Sequence, residues 1–235
     1  MEKLDIVYFV KPDLVNSELV YSLRSVDRNF PCRNVWFYGG QPIDLIPDFR
    51  APIIQKGENR YEKVRNMLRQ ACKNDELTED FWLFNDDFFI LTPMEEVPPW
   101  YQGTLPQRIR QIETRRGGRK SGYTQQLRRT TAALQAEGLG ILNYAVHVPM
   151  KINRAKMLQT LQTFPDVPMF RALYGNHHCI GGIDRPDVKI FTPEVSIEAG
   201  AQLVSTSDSS FVNGLVGKQI RERFPEKSRW EARTE

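Results

Sequence analysis

Short apolar runs alternate with amphipathic stretches along the first ninety residues of the chain. Compact β-branched and aromatic runs predict buried strands at Leu4 to Val10, Asn34 to Tyr38 and Phe81 to Phe84. Between these runs, apolar positions at helical spacing predict one helix that ends near Asn29 and a second over Tyr61 to Ala71. Strands that alternate with helices in this way favour an α/β fold with a mostly parallel sheet and flanking helices.

The second half of the chain has a less regular pattern. The pattern of apolar residues predicts a short strand at Tyr144 to Val148. Apolar periodicity and capping residues predict three helices, at Thr124 to Glu137, Asn153 to Thr163 and Ser210 to Phe224. No internal repeat or linker-like stretch interrupts the pattern. We therefore predict a single domain over residues 1–235, with a donor- and metal-binding half at 1–100 and a basic loop and acceptor half at 101–235.

The composition is that of a folded protein with a sizeable core. Of the 235 residues, 40% are hydrophobic and 11% are aromatic, which excludes a disordered chain. No stretch approaches the roughly 20 apolar residues that span a bilayer, and Met1 to Val10 lacks the layout of a signal peptide. Three widely spaced cysteines indicate neither a disulfide framework nor a zinc site. We expect a cytoplasmic protein without a membrane span.

Positive charge is concentrated in one segment. The whole chain carries +3, but the segment from Pro106 to Arg129 has eight basic residues and one acidic residue, Glu113, and so carries +7. Within it, Arg115 to Gly122 (RRGGRKSG) is typical of a mobile loop. Such local basicity indicates a specific anion rather than a general attraction to polyanions.

Several interpretations of this basic segment stay open. It can close over a substrate as a lid, with Arg115, Arg116, Arg119 and Lys120 on a diphosphate. It can bind an acidic acceptor, or nucleic acid, because aromatic residues flank it. It can also be a solvated loop without a ligand.

Two adjacent aspartates carry the strongest chemical signal. Asn85, Asp86 and Asp87 interrupt the apolar run from Phe81 to Leu91. Burying carboxylates is unfavourable, and adjacent like charges raise each other's proton affinity. A divalent cation relieves both problems, and Mg²⁺ commonly uses one or two carboxylates with phosphate oxygens and water. We therefore expect Asp86 and Asp87 to bind Mg²⁺ or Mn²⁺ at the edge of the sheet. The alternative is an ordinary turn with two solvated aspartates, which the flanking aromatic residues disfavour.

The first predicted helix contains two further candidates. The guanidinium of Arg24 can bind a phosphate through two hydrogen bonds, or it can form a surface ion pair with Glu18 or Asp27. Glu18 can act as a general base for an acceptor hydroxyl. It can also be an acidic residue that interacts favourably with the helix dipole.

Three candidates lie outside that helix. Gly39 follows the second strand and belongs to the edge where ligands of parallel sheets bind. His147 can bind phosphate or carry a proton, although a lone strand histidine is more often structural. Asp208 lies in a hydroxyl-rich loop, where it can supply a metal ligand, bind sugar hydroxyls or help to cap a helix, with Ser209 as the expected cap.

Four segments occur in the order found in the Stealth family, which contains sugar-phosphate transferases of capsule synthesis and their lysosomal-enzyme relatives. The segments are DIVYFV (Asp5 to Val10), ELVYSLRSV (Glu18 to Val26), NVWFYGGQP (Asn34 to Pro42) and FWLFNDDFF (Phe81 to Phe89). The chain resembles that family over about its first ninety residues. The resemblance is strongest to phage-encoded, glycosyltransferase-like members.

The resemblance implies a fold of the GT-A kind that binds a nucleotide-sugar. It implies that the aspartates of NDD bind the metal and that Glu18 and Arg24 belong to the active site. A later histidine and arginine also function in the family, and their nearest matches are His147 in HVP and Arg171 in MFRALYG. If the chain is phage-encoded, its expected location is the cytoplasm of a bacterial host.

These observations predict a metal-dependent transferase that moves a sugar, or a sugar-1-phosphate, from a nucleotide-sugar donor to an acceptor hydroxyl. The expected catalytic residues are Glu18, Asp87, His147 and Arg171. The acceptor stays open between a glycan and DNA. One alternative is a glycosyltransferase that acts on modified bases in DNA. The other is a non-catalytic nucleic-acid-binding or virion-associated protein.

Overall fold

Strands and helices alternate along the computed structural model, which describes residues 2–53 and 56–232. The strands are β1 (Asp5–Val10), β2 (Val35–Gly39), β3 (Phe49–Ala51), β4 (Asp80–Phe84), β5 (Phe88–Ile90), β6 (Trp100–Tyr101), β7 (Met150–Asn153), β8 (Ile183–Asp184), β9 (Lys189–Ile190) and β10 (Leu203–Thr206). The helices are α1 (Ser17–Asn29), α2 (Arg60–Cys72), α3 (Leu105–Arg115), α4 (Gly122–Ala136), α5 (Arg154–Thr163), α6 (Phe170–His177), α7 (Asp208–Asn213) and α8 (Leu215–Arg223).

A five-stranded main sheet has the order β3-β2-β1-β4-β7. Its first four strands are parallel, and β7 runs antiparallel to β4. Central strand β1 pairs on both sides, with Val7 opposite Trp36 and Leu83. Almost all of its side chains are buried, as expected for a parallel strand covered on both faces. The prediction of an α/β fold with a mostly parallel sheet is confirmed.

A small sheet of order β5-β10-β9 begins directly after the aspartate pair. Strand β10 is antiparallel to β5 and parallel to β9. Residues beyond 100 therefore complete both sheets: β7 extends the main sheet, and β9 and β10 pair with β5. The two predicted halves interleave in space, and Asp87 lies where the two sheets meet.

Helix α1 is fixed to the free edge of β5 through polar side chains. Ser22 Oγ donates a hydrogen bond to Phe88 O at 2.6 Å, and Ser25 Oγ accepts one from Ile90 N at 3.0 Å. Asn29 Nδ2 donates to Ile90 O at 2.8 Å. These bonds replace the strand partner that β5 lacks on this side. They hold the amino end of α1 beside the turn that carries Asp86 and Asp87.

The predicted strand at Tyr144 to Val148 is wrong. The strand lies later, at β7, because side chains bind the backbone polar groups of this segment. His147 N donates to Asp187 Oδ1 at 2.9 Å, and Arg171 Nη1 donates to Val148 O at 2.7 Å. A segment whose backbone groups are bound this way has few left for a sheet ladder.

The predicted C-terminal helix is divided at Gly214 into α7 and α8. Leu215 N donates to Pro193 O at 2.8 Å and so leaves the helical ladder. The amino-terminal cap of α7 is Ser207, whose side chain accepts from Ser210 N, and not Ser209 as predicted. Across residues 2–53 and 56–232, no helix has the length and apolar character needed to cross a membrane.

Candidate active site

A cavity of about 730 Å³ opens at the carboxyl edge of the main sheet. Phe9, near the end of β1, and Asn85 and Asp86, after β4, line its base. Its walls come from α2, α3, the start of α4, the segment 145–147, the start of α6 and β9. Ligands of parallel sheets bind at this edge, beyond the strand ends.

Asp86 faces the cavity and is held by the cap residue of α1. Asn16 Nδ2 donates to Asp86 Oδ2 at 2.8 Å, while Asn16 Oδ1 caps the helix by accepting from Leu19 N. Burial raises the pKa of Asp86, the bond from Asn16 opposes that shift, and the neighbouring Asp87 adds to it. Asp86 is therefore a carboxylate whose charge a bound cation would stabilise.

Asp87 is buried and already has a cationic partner. Lys189 Nζ donates to Asp87 Oδ2 at 2.6 Å, and Ser205 Oγ donates to the same oxygen at 2.9 Å. Strand β9 supplies Lys189 and strand β10 supplies Ser205. Neither of these two residues was among the sequence candidates, because each lies about a hundred residues from the aspartate pair.

Glu18 lies next to the aspartate pair, in the first turn of α1. Thr206 Oγ1 donates to Glu18 Oε1 at 2.6 Å. Burial, together with the charges of Asp86, Asp87 and Asp208, raises the pKa of Glu18 to about 7, and the bond from Thr206 acts against that shift. A carboxylate with a pKa near 7 can accept and release a proton at neutral pH.

His147 lines the cavity and forms a pair with Asp187. Its Nδ1 lies 2.7 Å from Asp187 Oδ2, and its backbone N donates to Asp187 Oδ1. Burial acts to raise the pKa of Asp187, but the bonds from His147 hold it below its usual range. An ionised Asp187 favours a proton on Nδ1, which leaves Nε2 as the proton-accepting nitrogen. Asp187 was missed because only the tertiary fold brings it to His147.

Arg171 is buried in the wall of the cavity. Its Nη1 donates to Val148 O, but its Nη2 has no hydrogen-bond partner within the described residues. The guanidinium lies 5.5 Å from the centre of the Phe88 ring. Burial lowers the pKa of Arg171 to about 10, and Asp87 and Asp187 act against that shift. The side chain stays charged at neutral pH, so Nη2 is a donor suited to an anionic ligand.

The structure does not bring Arg24 to the cavity. Its Nε and Nη2 donate to both carboxylate oxygens of Glu231, at 2.8 and 2.7 Å. Its Nη1 donates to the carbonyl oxygens of Phe224 and Pro225. Arg24 thus ties α1 to the C-terminal segment, and its partner is neither Glu18 nor Asp27.

Gly39 and Asp208 also lie outside the cavity lining. Gly39 ends β2 with a φ of 109°, a conformation that favours glycine, so its role here is to turn the backbone. Asp208 is exposed at the first position of α7, and it acts on Glu18 only through its charge.

The basic segment contributes unevenly to the cavity. All four of Arg115, Arg116, Arg119 and Lys120 are exposed, and among them only Arg116 lines the cavity. Arg108, lower on α3, lines the cavity too. Arg60, at the start of α2, and Lys189 add positive charge that the sequence analysis did not assign to the site.

The site contains two carboxylates that suit a divalent cation but no complete set of protein ligands. Across residues 2–53 and 56–232, no group of three or more His, Cys, Asp or Glu side chains is arranged to hold a metal ion. Asp86 and Asp87 fit the incomplete protein ligation of Mg²⁺, with other positions taken by phosphate and water. The Lys189 ammonium on Asp87 competes with a cation there. The residues therefore fit a cation that arrives with a diphosphate.

No protein-family model matches this chain, and no curated protein matches it either. What the site can do is therefore inferred from its residues.

Proposed function

We propose that this protein is a transferase that moves a sugar, or a sugar-1-phosphate, from a nucleotide-sugar to an acceptor hydroxyl. One observation carries the proposal: a single cavity at the carboxyl edge of a parallel sheet holds Asp86, backed by Asp87, together with a buried Arg171 whose Nη2 is unpaired. A diphosphate satisfies both features at once, because it accepts from the guanidinium and shares a cation with the aspartates.

The charge of the cavity lining supports an anionic ligand. Four arginines line it, namely Arg60, Arg108, Arg116 and Arg171, and Asp86 is the acidic lining residue. Lys189 also lines it, but its charge is paired with Asp87. A volume of about 730 Å³ suits a ligand of nucleotide-sugar size. Aromatic residues that also line it, Phe9, Tyr61, Tyr123 and Phe170, offer apolar surface for a base or a sugar ring.

The fold is compatible with the GT-A kind that the Stealth resemblance implies. Four parallel strands are followed by an antiparallel strand beside β4, and the aspartate pair comes directly after β4. The sites of many unrelated enzymes occupy this edge of α/β sheets. The GT-A assignment is therefore part of the proposal and rests on the site more than on the topology.

In the proposed mechanism, Arg171 and the aspartates hold the donor while His147 activates the acceptor. A bound Mg²⁺ or Mn²⁺ would neutralise charge on the diphosphate. Arg171 Nη2 donates to a phosphate oxygen and keeps that group against the sheet edge. Asp187 keeps the proton of His147 on Nδ1, so that Nε2 takes the proton of the acceptor hydroxyl. Glu18, with a pKa near 7, is the second candidate base.

Two bond-breaking outcomes are compatible with this arrangement. In glycosyl transfer, the acceptor oxygen bonds to the sugar C1, the C1–O bond breaks and a nucleoside diphosphate leaves. In phosphosugar transfer, the acceptor oxygen bonds to the phosphorus next to the sugar, the diphosphate breaks and a nucleoside monophosphate leaves. In both, the acceptor proton goes to the base.

Phosphorus NMR of the products tests this proposal. Nucleotide-sugars are incubated with the protein, Mg²⁺ and one of two acceptors, a simple methyl glycoside or a methyl glycoside that carries a phosphate group. We expect a nucleoside monophosphate or diphosphate to accumulate, and its identity gives the bond that breaks. Asp86→Asn should abolish the signal, whereas Asp44→Asn, at an exposed residue, should not. If a nucleotide-sugar binds but neither product forms with either glycoside or in water, the transferase proposal fails.

A second candidate makes DNA the acceptor. Arg110, Arg115, Arg119 and Lys120 are exposed on the α3–α4 hairpin, next to the cavity but outside its lining. Phosphate contacts by such residues make DNA affinity fall steeply with salt. DNA retention at low salt that is lost at high salt, and lost when these four residues are neutralised, would favour this candidate. Absence of retention at low salt would exclude it.

A further inference from the structure

One wall of the cavity is basic and is separate from the aspartate pair. It is formed by Arg60 at the start of α2 and by Arg108 and Arg116 on or just after α3, and we call it the arginine wall. These three arginines line the same cavity and make this wall positive. Like charges that share a cavity are stabilised by an anion or by solvent.

Arg108 is the member of the arginine wall that is partly buried. Within residues 2–53 and 56–232 its side chain forms no hydrogen bond and no ion pair. By contrast, Arg128 on the facing helix α4 is bound to both carboxylate oxygens of Glu113. A partly buried guanidinium with its donors free is suited to two parallel hydrogen bonds with a phosphate group.

Aromatic side chains lie next to the arginine wall, in which Arg108 is half-buried and Arg60 and Arg116 are exposed. Tyr61 and Tyr123 line the same part of the cavity, and burial raises the pKa of Tyr123. Arg60 lies over the Tyr61 ring, 4.8 Å from its centre, and its Nη2 donates to Tyr61 Oη. Reduced solvent access strengthens the attraction between a guanidinium and an anion.

Within the arginine wall, Arg108 is the residue that is related to His147. Its positive charge acts on Asp187, which is bonded to His147. The charge of Arg171, which lines the same cavity, acts on both Asp87 and Asp187. An anion bound to Arg108 would therefore share the cavity with the candidate base, His147. The donor diphosphate, held at Asp86 and Arg171, leaves this arginine without a partner.

We infer that the arginine wall is a second anion subsite, which binds a phosphate group carried by the acceptor and places the acceptor hydroxyl next to His147. The acceptor role of this subsite rests on the proposed function, whereas the binding of an anion there does not. It narrows the acceptor from any hydroxyl compound to one that bears a phosphate within reach of the reacting hydroxyl.

Calorimetric titration with inorganic phosphate tests the subsite, first on the protein alone and then with UDP and Mg²⁺ present. We expect phosphate to bind in both conditions. Arg108→Gln should weaken its binding by about tenfold or more, because a charge-assisted contact is lost. Arg110→Gln is the matched control: Arg110 is on the same helix but is exposed and outside the cavity, so its variant should bind phosphate like the wild type.

The results separate the subsite from the proposed function. Equal phosphate binding by wild type and Arg108→Gln would overturn the subsite. Competition between phosphate and UDP, with binding dependent on Arg108, would assign the arginine wall to the donor and overturn the acceptor role. If UDP does not bind and phosphate still requires Arg108, the subsite is supported, and a uridine-nucleotide donor is what fails.

Discussion

Lys189 Nζ lies 2.6 Å from Asp87 Oδ2, so one carboxylate of the aspartate pair is neutralised by the protein itself. Both side chains are mostly buried, with 15% and 9% of their surfaces exposed. The ammonium group compensates for burial of the carboxylate, which would otherwise be unfavourable by several kcal/mol. The cavity-facing Asp86 is the member of the pair that depends on a hydrogen bond from Asn16 and on what binds in the cavity.

We predict that Lys189→Met destabilises the protein by about 3–5 kcal/mol, because it leaves Asp87 buried without a cation. Mg²⁺ should then stabilise the variant more than the wild type, since the metal replaces the lost ammonium. Thermal unfolding with and without Mg²⁺ measures both effects. Lys218→Met, which removes an exposed lysine near Glu222, should change neither quantity appreciably. No stabilisation of either protein by Mg²⁺ would contradict a cation site at this pair, and an equal response of the two proteins would show that Lys189 and the cation do not share Asp87.

Asp187→Asn should lower kcat by about a hundredfold or more, with little change in the KM for the donor. The asparagine no longer fixes the proton of His147 on Nδ1, so the base loses its orientation and its tautomer. Steady-state kinetics separates the two parameters. In a His147→Ala background, Asp187→Asn should have no further effect, because the two residues act as a unit. A full additional loss in that background would show that Asp187 acts independently of His147.

Glu18 should make stability depend on pH. Its pKa is raised from 4.5 to about 7 in the folded state by burial, so the folded protein holds a proton that the unfolded chain releases at lower pH. The contribution of protonated Glu18 to the free energy of unfolding is fully present below the unfolded-state pKa of 4.5, and it is lost as pH rises through about 7. Glu18→Gln should remove this part of the profile. Urea unfolding between pH 4.5 and 8 measures it, with exposed Glu137→Gln as the control. Parallel profiles for wild type and Glu18→Gln would refute the assignment.

Arg24→Ala should reduce stability by about 3 kcal/mol without changing nucleotide affinity. It removes a two-bond ion pair with Glu231 and two carbonyl contacts, all away from the cavity. Arg28→Ala on the same helix, which loses one exposed bond to Arg223 O, should have a smaller effect. Chemical unfolding of each variant measures its stability, and nucleotide titration measures its nucleotide affinity. Weaker nucleotide binding by folded Arg24→Ala would restore Arg24 to the active site.

Local patterns were enough to predict β1, β2, β4 and the helices α1 and α2. A strand buried on both faces gives a continuous apolar run, and a helix buried on one face gives a periodic one. They also predicted that Asp86 and Asp87 lie at the ligand-binding edge. The partners that define the site could not be predicted. Two of them, Lys189 and Ser205, lie about a hundred residues beyond Asp87 in the sequence. The third, Asp187, lies 40 residues beyond His147.

The strand predicted at Tyr144 to Val148 failed for a related reason. Its alternation is real, but the side chains of Asp187 and Arg171 bind backbone groups that a strand would use. The family resemblance placed Arg24 in the active site, but its guanidinium is bound by a distant residue, Glu231, away from the cavity. Charge and periodicity identify candidates, whereas their partners are set by tertiary contacts.

Thermal unfolding with a panel of nucleotide-sugars tests the central claim most directly. UDP-sugars, GDP-sugars and free nucleotides are each added with Mn²⁺ or with a chelator, to wild type, Asp86→Asn and Asp44→Asn. A ligand at 100 times its Kd should stabilise the protein by about 2.7 kcal/mol. We expect at least one nucleotide-sugar to stabilise wild type and Asp44→Asn with Mn²⁺ only, and not Asp86→Asn. No stabilisation by any of them, or equal stabilisation of Asp86→Asn, would contradict a donor site at the aspartate pair.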